Sequence, residues 1–188
     1  MSASLMALAL VGCNPNKDPA KSGAQAASVP GNQTLSGTLA SASSLSDFNA
    51  IVRNAGLDQV LNGVGPYTVL APTNSAFGTG EGQALAADDM RGPAAALVRA
   101  QVVPGVLTRA DILAAIDASR SKRVQIRNMA DGLLTLTRDG SNIIVITESD
   151  TRARLVEAET LASNGAIQPV DGVLVAMPTA APAAAAGG

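Results

Sequence analysis

The hydrophobic period of this chain changes partway along its length, and that change limits the folds open to it more than any other feature. Phe48, Ile51, Val52 and Ala55 recur at i, i+3, i+4 and i+7, the spacing of one helix face. Ser44-Leu45-Ser46-Asp47 before them has the capping-box pattern, and Gly56 marks the C-terminal stop. Thr108-Arg109-Ala110-Asp111 repeats the device ahead of the stripe Ile112, Leu113 and Ile116. A further helix is predicted to open at Pro93, a residue suited to a first turn, and to carry Leu97, Val98 and Gln101. From Val124 onward the period is two. Val124-Gln125-Ile126 and Leu134-Thr135-Leu136-Thr137 alternate, Asp139-Gly140 supplies a turn, and Ile143 to Thr147 returns as a partner strand. Arg154 to Glu159 and Val173-Leu174-Val175 complete the predicted strands. Helices that precede strands rather than alternate with them point to an α+β fold.

The core must be assembled from few kinds of residue. Phe48, Tyr67 and Phe77 are the three aromatics, so 43 Leu, Val and Ile residues, with small Ala contacts, supply the apolar volume. The chain has no histidine. That removes Ser-His-Asp and Cys-His catalysis, imidazole metal ligation and any side chain with an unperturbed pKa between about 5 and 8. A net charge of −2 and so few aromatics leave no basic, stacking surface for nucleic acid. No cofactor or metal site is expected.

Cys13 is the single cysteine, so no intramolecular disulfide can form. It follows an apolar run, Leu5 to Val11, too short to span a bilayer but long enough for the core of a signal peptide. Leu10-Val11-Gly12-Cys13 resembles the lipobox of bacterial lipoproteins, although Met1 to Ser4 carries no Lys or Arg. The expected organisation is a signal peptide over 1–12 and a lipid-anchored flexible tether over 13–37. A folded domain over 38–178 and a low-complexity Ala/Pro/Gly tail over 179–188 complete it. Asn14 after the cysteine is not the Asp that retains lipoproteins at the inner membrane, which favours a cell-envelope location at the outer membrane, periplasmic or surface-exposed.

Three segments in order resemble the fasciclin-type domain, an extracellular adhesion module. They are Tyr67-Thr68-Val69-Leu70-Ala71-Pro72-Thr73-Asn74-Ser75-Ala76-Phe77, then Val102-Val103-Pro104-Gly105, then Ser163-Asn164-Gly165-Ala166-Ile167-Gln168-Pro169-Val170-Asp171-Gly172-Val173-Leu174. The resemblance implies a wedge of two small sheets covered by helices, and a non-catalytic adhesion or binding function. In the first segment Tyr67, Val69 and Ala71 alternate as a strand, Pro72 ends the ladder, Thr73 or Asn74 caps a short helix, and Phe77 packs inward. In the third, Asn164-Gly165 makes a turn, and Asp171-Gly172 returns Val173 to Val175 beside Ile167 and Val170. Two positions depart from the family pattern. Gln101 and Gln168 stand where the family commonly has histidines, so a pH switch on those side chains does not carry over. Both glutamines are expected to bond buried backbone. Asp111-Ile112 matches superficially a pair associated with integrin binding in animal members, but Asp111 is read as a capping residue.

Few other residues invite a chemical reading. Glu157 and Glu159 lie two apart on a predicted strand, a spacing that would suit a glycosidase or a divalent cation. The same spacing describes the solvated face of a strand with Val156 and Ala158 inside, which is the reading taken. Glu148 and Asp150 read as a strand end and turn, and Asp88-Asp89 as a loop or cap. Gly78-Thr79-Gly80-Glu81-Gly82 lacks the Lys-Ser/Thr of a phosphate loop and reads as a flexible surface loop. Arg120, Lys122, Arg123 and Arg127 form the one basic cluster, the candidate contact for lipopolysaccharide phosphates, acidic polysaccharide or a membrane surface. The expected partner is an envelope polysaccharide, a matrix component or a protein, with the membrane reached through the lipid anchor. The runner-up functions are a periplasmic ligand-binding protein, a carboxylate-dependent enzyme, or a structural envelope protein.

Overall fold

The computed structural model describes residues 31–175. The expected signal peptide, Cys13, most of the expected tether and the Ala/Pro/Gly tail therefore lie outside the described residues. Six helices lie between residues 35 and 118: α1 Leu35–Ser41, α2 Ser46–Asn54, α3 Asp58–Asn62, α4 Glu81–Leu85, α5 Arg91–Gln101 and α6 Arg109–Ala118. The periodic stripe of α2 is buried, with Phe48, Ile51 and Val52 almost wholly covered. Gly56 takes the left-handed conformation (φ 69°) that ends such a helix. The capping box at Thr108 and Asp111 forms in both directions. The one expected at Ser44 and Asp47 does not. Ser43–Leu45 is instead a short 3-10 turn, and α2 begins after it. The helix predicted at Pro93 opens two residues earlier, at Arg91, leaving Pro93 within the first turn where its missing N–H costs nothing. The glycine-rich segment at 78–82 is not all loop, because α4 starts at Glu81.

Eight strands make two four-stranded sheets: β1 Tyr67–Pro72, β2 Val102–Pro104, β3 Arg123–Arg127, β4 Leu133–Asp139, β5 Asn142–Thr147, β6 Arg152–Arg154, β7 Thr160–Ala162 and β8 Gly165–Val170. The first sheet has the order β2-β1-β8-β7, with β1 and β8 parallel at its centre. The second is a sequential antiparallel meander, β3-β4-β5-β6. Its β4–β5 hairpin turns on Gly140 and Ser141, with Gly140 at φ 58° and Asp139 still paired to Asn142. At β1–β8 the backbones come so close that a Cβ on Gly165 would run into the Tyr67 carbonyl.

Alternation along the first sheet separates two cores. Val69, Ala71, Val102 and Ile167 face a cluster built with Leu35, Leu39, Phe48, Ile51, Leu97 and Val98 of the helices. Leu70, Val103 and Val170 face the other way, onto Leu134, Leu136, Ile143, Val145 and Ala153 of the second sheet and Ile112 and Ile116 of α6. Helices α1 to α5 cover one face of the first sheet, and the second sheet with α6 covers the other. The outer face of the second sheet carries no further layer of the described residues.

Three expectations need correction. Residues 31–37, assigned by composition to the tether, belong to the folded body. Gly31 N–H donates to Leu161 C=O at 2.8 Å, Ser163 N–H donates to Gln33 C=O at 2.8 Å, and Leu35 is fully buried. Burying Leu35 and Leu39 supplies the apolar contact that the surrounding polar residues do not advertise. The strand predicted through Arg154 to Glu159 stops at Arg154, with one bridge at Leu155, and Val156 and Ala158 are exposed rather than inside. Val173 to Val175 forms no strand, because Asp171 turns the chain away and bonds back to Arg154.

Candidate functional site

The motif residues are ties between distant segments. Asn74 Oδ1 accepts from the Asp47 N–H at 3.1 Å, and its Nδ2 donates to Ser43 C=O and Ser46 Oγ. It therefore caps α2 from 27 residues away, the task the local Ser44 pattern was expected to perform. Ser44 Oγ donates instead to Glu157 Oε2 at 2.9 Å. Asn164 acts in the same way on two helices. Its Oδ1 accepts from Leu35 N–H at the start of α1, while Nδ2 donates to Leu61 and Gly63 carbonyls at the end of α3. Thr73 is buried beside Ser75 and makes no capping bond. Pro72 closes β1 opposite Val170, Phe77 is buried in the helical core, and Tyr67 packs half-buried against the same core. Gly105, at φ 95° beyond Pro104, accepts from Thr68 Oγ1 at 2.8 Å and donates to Pro66 C=O at 2.9 Å. Gly172 lies close against the Arg152 carbonyl and Ala153, and Asp171 binds both the backbone N–H and the guanidinium of Arg154.

Both glutamines are fully buried. Gln101, with its amide oriented to satisfy both neighbours, donates to Leu70 C=O at 2.8 Å and accepts from Leu174 N–H at 3.0 Å. Gln168 donates to Leu107 C=O at 3.0 Å and to Glu159 Oε2 at 2.7 Å, and accepts from Arg109 Nε at 3.1 Å. Glu159 also accepts from the Arg109 N–H at 2.7 Å, at the first turn of α6, where a carboxylate meets unpaired amides. The Arg109 guanidinium donates onward to the Glu157 carbonyl. Burial lowers the Arg109 pKa below its ordinary value, and the Glu159 charge works against that loss. The pair Glu157 and Glu159 is thus divided. One carboxylate reaches Ser44 and the other closes a network that fastens α6 to β7 and β8, so the two do not converge on a common cleft. Among the described residues no group of three or more His, Cys, Asp or Glu side chains is placed to hold a metal ion.

The basic cluster occupies the turn from α6 into β3 and the length of β3. Lys122 donates to the Asp117 carbonyl at 2.6 Å, and Arg127 pairs with Asp131 at 3.2 Å. Among the described residues Arg120 and Arg123 make no ion pair. Cross-strand register extends this edge over the sheet. Arg123 lies opposite Thr137, Thr137 opposite Ile144 and Ile144 opposite Arg154, while Gln125, Thr135, Ile146 and Arg152 form the next row. Directly opposed residues share a face. Arg152 and Arg154, which sequence reasoning missed, therefore stand on the same outer surface as the β3 cations. The signal was there in Arg152-Ala153-Arg154, whose alternation places one small apolar residue inward and two arginines outward. Thr137, Asp139, Ile144, Ile146, Arg152, Arg154 and Asp171 line a shallow hollow of about 550 Å³ on this face. A hollow with arginines on its rim and hydroxyl and aliphatic groups on its floor can bind an extended anionic ligand. Within it the Thr137 hydroxyl donates to the Lys122 carbonyl.

Comparison with known proteins agrees with this architecture. The chain is 28% identical over 129 residues to Protein sll1483 of Synechocystis sp. (strain PCC 6803), an alignment covering 67% of this chain and 64% of that protein. The chain thus spans a little under two thirds of that relative. Its fold is similar to that of a FAS1 domain pair from the insect cell adhesion molecule fasciclin I, with a TM-score of 0.65 at 16% identity over 77% of this chain and 51% of the pair. The fasciclin domain family model matches residues 43–176, from the turn before α2 to the end of the second core, and the chain belongs to the fasciclin domain family.

Proposed function

We propose that this protein is a lipid-anchored, non-catalytic binding module of the bacterial cell envelope. In this reading Cys13 carries the lipid at the outer membrane, the residues after it hold the domain away from the bilayer, and the domain makes contact with envelope, matrix or neighbouring-cell components. One observation carries the binding role. Among the described residues the outer face of the second sheet is left uncovered and bears Arg123, which makes no ion pair, with Arg127, Arg152 and Arg154, whereas the buried polar side chains are spent on the scaffold. The fasciclin family and the adhesion-molecule fold support a binding rather than a catalytic role. Anchoring makes weak binding useful, because many copies on one surface act together.

The test is fractionation and protease accessibility of the full chain in intact bacterial cells. The expected result is a membrane-associated protein that becomes soluble when Cys13 is changed to Ser. Protease digestion with a periplasmic control intact would place the domain outside and direct attention to attachment of a deletion strain. A Cys13→Ser protein that stays with the membrane, or hydrolysis of a glycan by the purified chain, would overturn the reading.

A further inference from the structure

The outer sheet face has a charge pattern that selects among anionic partners. The outward positions of the four strands are Arg123, Gln125 and Arg127 on β3, Leu133, Thr135, Thr137 and Asp139 on β4, Asn142, Ile144 and Ile146 on β5, and Arg152 and Arg154 on β6. At the outward strand positions four arginines stand against Asp139, with Asp171 beside Arg154 at the edge of the hollow, in a chain whose net charge is −2. The arginines occupy only the two edge strands. Between them runs a floor of amide, hydroxyl and half-buried aliphatic groups. Arg123 and Arg154 are three strand spacings apart in register, about 14 Å between backbones.

We infer that this face takes an acidic polysaccharide laid across the second sheet. Its carboxylates or sulfates would meet the two arginine edges, and its hydroxyls would meet Gln125, Thr135, Thr137 and Asn142. The inference rests on the binding-module reading and names the ligand class of that face. Three observations favour a glycan over a lipid surface. The face is hollowed over β4 to β6, it has no aromatic side chain to enter an interface, and Ile144 and Ile146 are half-buried in the floor rather than projecting from it. The arginines are available to such a ligand. Arg123 has no ion pair among the described residues, and the pairs of Arg127 with Asp131 and Arg152 with Asp150 are largely solvent-exposed, so they are weak and exchangeable. Arg154 is held more firmly by Asp171, through both its guanidinium and its backbone, and this presents it at a fixed position on the rim.

The experiment measures binding of the purified full chain to immobilised polygalacturonate, with neutral dextran and phosphatidylglycerol vesicles in parallel. The expected result is binding to polygalacturonate that weakens as salt is raised, with no binding to dextran and less to vesicles. Changing Arg123 and Arg154 together to Ser should weaken it by about tenfold or more. Thr137→Glu should do the same by placing a carboxylate on the floor, and Arg53→Ser on α2 should leave it unchanged. Unchanged binding in both face variants, a preference for the vesicles, or no binding to polygalacturonate at any salt would overturn the glycan inference. Membrane association through Cys13 and attachment of intact cells would still stand or fall independently.

Discussion

The two sheets have the same number of strands but solve different problems. The first is covered on both sides. From its second residue onward β1 is buried at every position, and so is all of β8, the reading expected of central parallel strands. Side chains there are chosen by neighbours on both faces, and even polar ones are fully committed, as Thr68 and Gln168 show, while Gln101 at the end of α5 bonds the Leu70 carbonyl of β1. Among the described residues the second sheet is covered on one side only. Its inward Leu134, Leu136, Ile143, Val145 and Ala153 complete a core, while its outward residues meet water. A domain with few charges and almost no aromatics has little freedom to build a binding surface within its packed half. The open face is where residues can change without upsetting the fold, and where recognition chemistry can be placed.

Substitutions can break or sharpen that contrast. The largest effect is expected at Phe48, the biggest side chain fully buried in the helical core. Phe48→Ala should lower the unfolding free energy by about 3–5 kcal/mol in a denaturant titration. Next is Gln101→Leu, which keeps the volume but leaves the Leu70 carbonyl and Leu174 N–H without partners, at an expected cost of about 1–3 kcal/mol. A neutral outcome there would mean that the tie from α5 to the first sheet is as dispensable as a polar group on the second. Asn74→Ala should cost about 1 kcal/mol through the lost remote cap on α2, and Ser44→Ala only a few tenths. The reverse order would restore the local capping box. The smallest effect belongs to the open face, where Arg123→Ala and Thr135→Ala should each change stability by no more than about 0.5 kcal/mol in the same titration. A loss at Arg123 comparable to that at Gln101 would show that this face carries the fold as well.

Regular elements with a strong period were legible. The stripes of α2 and α6 and the β4–β5 hairpin lie where spacing put them, because a repeating apolar face has one good way to be buried. Short elements were not. In β6 only Ala153 faces inward, so Arg152 to Arg154 offers too little pattern to separate a strand from a turn, and the two arginines of the candidate site were missed with it. The reading of 154–159 as a strand failed for a related reason. Val156 and Ala158 alternate with Glu157 and Glu159 in sequence, yet the Glu159 carboxylate is drawn to the α6 N-terminus and Gln168, and the chain leaves the sheet to reach them. Leu35 and Leu39 were lost in a polar neighbourhood, because their burial depends on Asn164, 129 residues away from the N–H it receives on Leu35.

The sequence by itself determined the class of fold, the helix faces and inward residues of the meander, the exclusion of histidine chemistry, and the resemblance that placed the chain in its family. These follow from composition and from periods of 3.6 and two, which are local properties. The tertiary structure alone decided which polar side chain serves which backbone. It also decided that the two glutamates part company, and that β3 and β6 present their arginines on one face. Those outcomes depend on strand order and register. Strand pairing brings together residues such as Arg123 and Arg154, which are 31 positions apart, and no local pattern encodes that meeting.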